Sequence, residues 1–387
     1  CYNLTMIYLD NAATSFPKPD AVWQAISKYG QEIGASPGRG SYEAALKVGR
    51  LVLQTRKKLA ALLDAANPLD IIFTPNATYA LNLALKGLLK AGDYVVTTKL
   101  EHSSVLRPLL YLQKKKQVNV EFINCSPEGE LNFNHFKLLL DKKPKLVVLT
   151  HASNVLGSIL PIAKVTEMAH QVGAKVLVDA AQTAGCVPLS VSKSGLDMLA
   201  FTGHKSLLGP QGAGGLYIAP DLEIEELIQG GTGGSSGLEQ PLVRPDRYES
   251  GTLNTPAIVG LGAALDFVQQ KGVDSIFQTD KEKVWYFMDK LLSLKKVQLF
   301  GPKVGIERVP LIALKIKGLP SQQAAYFLDK EYKIAVRGGL HCAPSAHMLL
   351  GTEAEGLVRF SISYFTTYSE LDYAFTAVKD LTEKTLS

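Results

Sequence analysis

From residue 70 onward, short runs of consecutive apolar residues alternate with amphipathic stretches of helical length, which leaves few architectures open. The pattern predicts strands at Asp70–Phe73, Tyr94–Thr98, Val118–Ile123, Leu146–Thr150, Val176–Val178, Met198–Phe201 and Gly215–Ile218. Helices are expected at Thr78–Lys90, Ser103–Lys116, Phe133–Leu140 and Ile162–Val172. The strand runs are apolar at successive positions, not alternate ones. Such strands must be covered on both faces, so the expected fold is α/β, a mainly parallel sheet between helices. After about residue 257 the character changes to a long helix (Ala257–Gln270), further helices, and short strands at Leu311–Ile316 and Arg359–Ser363. That reads as a smaller α+β domain, and 387 residues accommodate both units.

Composition excludes several classes of function. The net charge of +5 is small, and its densest cluster, Lys114-Lys115-Lys116, reads as the solvated end of a helix. Nucleic-acid binding is not indicated. No apolar run reaches the roughly 18 residues of a membrane helix, and the first ten residues lack the basic and apolar regions of a signal peptide. Cys1, Cys125, Cys186 and Cys342 are scattered without CxxC spacing, so neither a disulfide framework nor a zinc site is expected. A reducing, cytoplasmic setting fits this usage. Gly230–Gly237 is a flexible glycine-rich segment, yet it does not satisfy GxGxxG, and no GxxxxGK[ST] occurs anywhere.

In a sheet of this kind, ligands sit at the carboxyl ends of the strands. Here five strand ends are polar: Thr74-Pro75-Asn76, Glu101-His102, His151-Ala152-Ser153-Asn154, Asp179, and Thr202-Gly203-His204-Lys205. Solvent loops explain one or two of these, but not the set. Asp179 ends a buried strand, where a carboxylate is costly unless it faces a cation. Lys205 follows the next strand, 26 positions on, so both side chains can reach one rim. An Asp facing a pyridinium nitrogen and a Lys forming a Schiff base are the protein groups of pyridoxal-phosphate chemistry. A helix-capping Asp and a surface Lys remain the plainer reading of that pair alone.

The neighbouring motifs carry a resemblance over nearly the whole chain. They are Tyr8-Leu9-Asp10-Asn11-Ala12-Ala13, Thr150-His151-Ala152-Ser153-Asn154-Val155-Leu156-Gly157, Val178-Asp179-Ala180-Ala181-Gln182, Gly203-His204-Lys205, Glu249-Ser250-Gly251-Thr252-Leu253-Asn254-Thr255, Arg337-Gly338-Gly339-Leu340-His341-Cys342-Ala343 and Arg359-Phe360-Ser361. With these the chain resembles class V aminotransferase-fold enzymes, specifically the group II (sulfur-mobilisation) cysteine desulfurases, which include selenocysteine lyases.

The resemblance implies fold type I of the pyridoxal-phosphate enzymes. A large cofactor domain would span 16–256, and a small domain 1–15 plus 257–387 with the Cys342 loop. Lys205 would carry pyridoxal 5'-phosphate and shuttle protons, Asp179 bind the ring nitrogen, Gln182 the ring oxygen, and His102 stack on the ring. Ala77 and Thr78 would hold the phosphate at a helix N-terminus, where free N–H groups favour an anion. Thr202 and His204 would add donors, and Gly251 and Thr252 would reach the phosphate from a neighbouring subunit, making a homodimer. Asn154 and Arg359 would hold the carboxylate of L-cysteine. Cys342 would take the substrate's sulfur as a persulfide, leaving alanine, and pass it to an acceptor protein for iron–sulfur cluster or other sulfur-compound synthesis.

Two departures stand out. Leu340 occupies a position where the family usually has a histidine, and Tyr79 one where it usually has an acid. A metal site from His341, Cys342 and His347 lacks a fourth ligand, so no metal is expected. Three alternatives stay open: a selenocysteine lyase, an aminotransferase or epimerase that needs Lys205 and Asp179 but no thiol, and an inactive scaffold for sulfur transfer.

Overall fold

The computed structural model describes residues 6–38, 40–232 and 237–384. Cys1 and part of the glycine-rich segment lie outside them. Seven strands form the main sheet in the order Ile71–Thr74, Gly214–Ile218, Met198–Thr202, Lys175–Asp179, Leu146–Thr150, Tyr94–Thr98, Asn119–Ile123. Gly214–Ile218 is antiparallel to both its neighbours, and every other pairing is parallel. Alternate residues of one strand enter opposite cores. Val176 and Val178 join one hydrophobic cluster and Leu177 the other, and Leu199 and Met198 divide in the same way. Burial on both faces is what the consecutive apolar runs require.

The expected elements are present, with ends shifted where capping decides. Helix Ala77–Leu88 begins one residue earlier than the pattern suggests because Asn76 Oδ1 accepts from Tyr79 N–H at 3.0 Å. It stops before Lys90, whose N–H goes to Asp93 Oδ2 at 2.7 Å. Helix Thr255–Lys271 starts at its own cap, Asn254, followed by Pro256 in the first turn. Two helices before the main sheet, Asp20–Glu32 and Glu43–Leu63, pack against Thr255–Lys271. Their apolar residues are spread over helical turns, outside the strand–helix alternation that begins near residue 70.

A second, antiparallel sheet runs Arg337–Gly339, Leu357–Ser361, Leu311–Ile316, Val297–Phe300. Its last long strand starts two residues ahead of the expected Arg359, since Leu357 and Val358 pair with Gly339 and Gly338. Phe360, Ile312 and Leu314 pack there with Phe287, Val284 and Leu291 of helix Val273–Leu292. Ile7–Tyr8 pairs in parallel with Ile334–Ala335, which brings the N-terminal segment alongside. Among the described residues, no helix is long and apolar enough to cross a membrane.

Arg308 fastens the turn after Leu146–Thr150 to the second sheet. It is fully buried and faces carbonyls: Nη2 donates to Leu156 O and Leu311 O, both at 2.8 Å, and Nη1 to Pro302 O at 2.7 Å. Desolvation draws its pKa down to about 10. Methionine in its place leaves three buried carbonyls without donors. We expect Arg308→Met to lower unfolding free energy by about 3 kcal/mol, read as a lower midpoint in urea titration with an unchanged slope.

Candidate active site

Polar ends of five strands converge on a cavity of about 230 Å³, lined among others by Ala77, Thr78, His102, Asn154, Asp179, Gln182, Thr202, His204, Lys205 and Arg359. Ala12, Thr150, Arg337 and His341 complete much of the wall. Eleven of the thirteen residues singled out from sequence thus lie in or beside one pocket. Gly251 and Thr252 do not: they line a separate cavity with Arg56 and Glu249. Cys342 is exposed, next to the lining residue His341, with its Sγ 3.5 Å from Arg337 Nη2.

Asp179 is buried at the end of its strand, and Oδ1 accepts from Ala181 N–H at 2.9 Å. Desolvation raises its pKa, against the Ala181 N–H and the Lys205 charge. Lys205 keeps some accessible surface in the pocket but is otherwise enclosed, and desolvation brings its ammonium down to about 8, opposed by Asp179. Asp179 and Lys205 feel each other's charge without making an ion pair within the described residues, and both line the cavity.

His102 caps helix Ser103–Lys116, its Nδ1 accepting from Ser104 N–H at 3.1 Å. Desolvation, then Lys205, Arg337 and Arg359, hold its pKa at about 4, so the ring is neutral near pH 7. Ser104 Oγ lies 2.9 Å from that Nδ1 and 2.7 Å from Thr78 Oγ1, which ties the ring to the start of helix Ala77–Leu88. Across the pocket, Thr202 Oγ1 and His204 Nδ1 are buried with no hydrogen-bond partner among the described residues. Gln182 Nε2 donates to Ala12 O at 3.1 Å.

Arg359 is buried and paired with Asp10, Nη2 to Oδ1 2.9 Å, while Nη1 donates to Asn154 O at 3.0 Å. Its Nε has no partner among the described residues. Asn154 Nδ2 donates to His341 O at 2.7 Å, so the asparagine also braces the Cys342 segment. His341 Nε2 lies 2.9 Å from Leu357 O, and a carbonyl there requires the ring to donate. His341 and Cys342 both adopt left-handed backbone, φ 50° and 57°.

The donor set fits pyridoxal phosphate. The unpartnered Thr202 hydroxyl, His204 nitrogen and Arg359 Nε surround the same cavity as a buried Asp, an enclosed Lys and a helix N-terminus, the groups an anionic pyridine derivative needs. Sequence reasoning missed two contributors. Asp10 appeared as a motif member with no role, and Glu101 as a polar strand end; pairing with the buried Arg359 singles out the first, and complete burial the second, neither of which composition encodes.

Comparison with known proteins agrees with this geometry. The family model for aminotransferase class-V matches residues 7–374. A probable cysteine desulfurase of Synechocystis sp. is 34% identical over 380 residues, 95% of this chain and 89% of that protein. Another, from Methanothermobacter thermautotrophicus, is also 34% identical, covering 94% of this chain and 92% of its own length. Among solved structures, the apo cysteine desulfurase of Thermococcus onnurineus superposes with a TM-score of 0.92 at 32% identity, covering 98% of this chain and 95% of that one. A cysteine desulfurase from Escherichia coli gives 0.88 at 26% identity, over 98% and 95%. With its family model spanning nearly the whole length and relatives above 30% identity matched almost end to end, the chain belongs to the class V aminotransferase family, alongside its cysteine desulfurases.

Proposed function

We propose that this protein is a pyridoxal-phosphate-dependent cysteine desulfurase that converts L-cysteine to L-alanine and takes the sulfur onto Cys342. The observation that carries the reading is the gathering of Lys205, Asp179, His102 and Arg359 around one cavity, with a thiol beside it. The cofactor, when bound, supplies an electron sink for the substrate's α-carbon.

The remaining work falls to side chains. Lys205 would hold the cofactor covalently through Nζ; a pKa near 8 keeps part of that amine unprotonated near neutral pH, able to take and return a proton. Asp179 would keep the ring nitrogen protonated, and Gln182 would bond the ring oxygen. His102, neutral, offers a flat face without adding positive charge to a pocket already holding Arg337 and Arg359. Ala77 and Thr78 N–H groups, with Thr202 and His204, would take the phosphate. Arg359, aimed by Asp10 and Asn154 O, would use its free Nε and remaining N–H groups on the substrate carboxylate, with Asn154 beside it.

Cys342 as thiolate attacks the substrate sulfur. The Cβ–S bond breaks, its electron pair stays on carbon, and that carbon takes up a proton to leave as alanine. The sulfur remains as a persulfide, which a thiol reductant or an acceptor protein removes. Arg337 Nη2 lies 3.5 Å from Sγ, beside the thiol that would receive the sulfur.

The reading includes a homodimer, in which Gly251 and Thr252 of one copy reach the phosphate site of the other. It also divides the chain into 16–256 and 1–15 plus 257–387, places the enzyme in the cytoplasm, and makes iron–sulfur clusters or other sulfur compounds the destination of the sulfur.

Two measurements test it. With a reductant present, wild type should release alanine and sulfide in equal amounts from L-cysteine, and Cys342→Ala should lose at least about a hundredfold of that rate. Full turnover by Cys342→Ala would move the protein to the aminotransferase or epimerase reading. In Arg359→Ala, kcat/KM should fall about ten- to a hundredfold, mostly through KM.

A separate prediction concerns stability of the cofactor-free protein. Lys205 ionises near 8 in the fold and near 10.5 when unfolded, so below pH 8 the fold holds a charged, desolvated amine. Between 8 and 10.5 the unfolded chain binds more protons and stability rises with pH. Lys205→Met should therefore stabilise the cofactor-free protein at pH 7 by about 2–3 kcal/mol, an advantage that shrinks toward pH 10.5 in thermal melts across that range.

A further inference from the structure

The ladder between Tyr94–Thr98 and Leu146–Thr150 stops early. Val95 pairs with Leu146 and Val96 with Val147, and the pairing goes no further toward the carboxyl ends. From the first strand the chain crosses to Asn119–Ile123 on one side, and from the second to Lys175–Asp179 on the other. The opening is therefore the topological switch point of the sheet, where ligand crevices form.

Glu101 occupies it. The side chain is fully buried; Oε1 accepts from Thr98 Oγ1 at 2.5 Å and from Thr150 N–H at 3.0 Å. It thus replaces the carbonyl that the interrupted ladder no longer offers Thr150. Among the described residues Oε2 has no partner and no cation pairs with this carboxyl. Desolvation raises its pKa to about 8, the hydrogen bonds from Thr98 and Thr150 opposing and the Asp179 charge adding to the rise.

The same turn seats two parts of the site. His102 is the next residue. Ser103 N–H donates to Cys342 O at 2.8 Å, and Ser345 Oγ, in the helix after Cys342, donates to Lys99 O at 2.8 Å. We propose that Glu101 is a positioning residue that clamps the turn 99–103 to the end of Leu146–Thr150 and through it sets both the His102 ring and the Cys342 backbone. The roles of His102 and Cys342 rest on the desulfurase reading; the clamp itself does not.

The test compares wild type, Glu101→Gln, Glu101→Asp and Glu101→Ala, each loaded with pyridoxal phosphate. One readout is the rate of Cys342 alkylation by iodoacetamide without substrate, followed by mass spectrometry of its peptide. The other is the visible circular dichroism of the bound cofactor. Glutamine keeps an acceptor for Thr98 and Thr150 and no charge, so it should stay within about twofold of wild type in both. Alanine, and aspartate one methylene short, should change the alkylation rate about fivefold or more and lose over about half of the dichroism.

Aspartate carries the comparison if the alanine variant does not fold. Unchanged alkylation and dichroism beside a lowered melting temperature would reduce Glu101 to a structural residue and overturn the proposal, as would a glutamine variant as perturbed as alanine. Alkylation needs no turnover, so failure of wild type to form alanine would count against the desulfurase reading alone.

Discussion

Covering both faces of the main sheet leaves its carboxyl rim as the place where strands can present polar groups to a ligand. Val176, Leu177 and Val178 are wholly buried, and the next residue, Asp179, ends the strand in the pocket. The apolar run fixes where the charge lies, and the covering helices make that charge desolvated. The same packing that stabilises the sheet raises Asp179 and lowers Lys205, bringing their proton affinities toward each other. A site that must hold and release a proton near neutral pH benefits from that convergence.

Cations outnumber anions around this rim. Lys205, Arg337 and Arg359 all press on His102, and with desolvation they leave its imidazole uncharged. Asp10 and Asp179 offset part of the excess, Asp10 by direct pairing with Arg359. A surplus of positive charge in an enclosed cavity suits a ligand with a phosphate and a carboxylate. Neutral histidine fits the same arrangement, because only the uncharged ring leaves Nδ1 free to accept from Ser104 N–H.

The strands were legible because their burial is written in consecutive residues. Tyr94–Thr98, Leu146–Thr150 and Leu311–Ile316 stand where the pattern puts them. Lys205 and Asp179 were legible because both follow such runs closely. Arg308 was not: its partners are carbonyls of Leu156, Pro302 and Leu311, and backbone acceptors leave no mark on side-chain identity. The Asp10–Arg359 pair joins residues 349 apart, brought together by the meeting of Asp10 with Ser361. Glu101 escaped because its importance depends on a ladder that ends two residues before Thr98 and three before Thr150. Gly251 and Thr252 lie in another cavity of this chain, where pattern alone supplies no connection to the first.

Two successive non-glycine residues in left-handed backbone, His341 and Cys342, are costly, at about 1 kcal/mol or more each. The conformation persists because separate elements hold it: Asn154 Nδ2 on His341 O, Ser103 N–H on Cys342 O, and the His341 ring on Leu357 O. Asn154 lines the pocket, Ser103 lies between the lining residues His102 and Ser104, and Leu357 begins the strand carrying Arg359. The thiol's position is therefore tied to the groups that would grip cofactor and substrate, and a shift in one is felt by the other. Leu340 takes no side-chain part in this bracing. It is exposed, and its carbonyl alone contributes, accepting from Ala343 N–H at 2.9 Å. A leucine where the resemblance implies a histidine leaves the internal fixation of Cys342 intact and changes exposed surface.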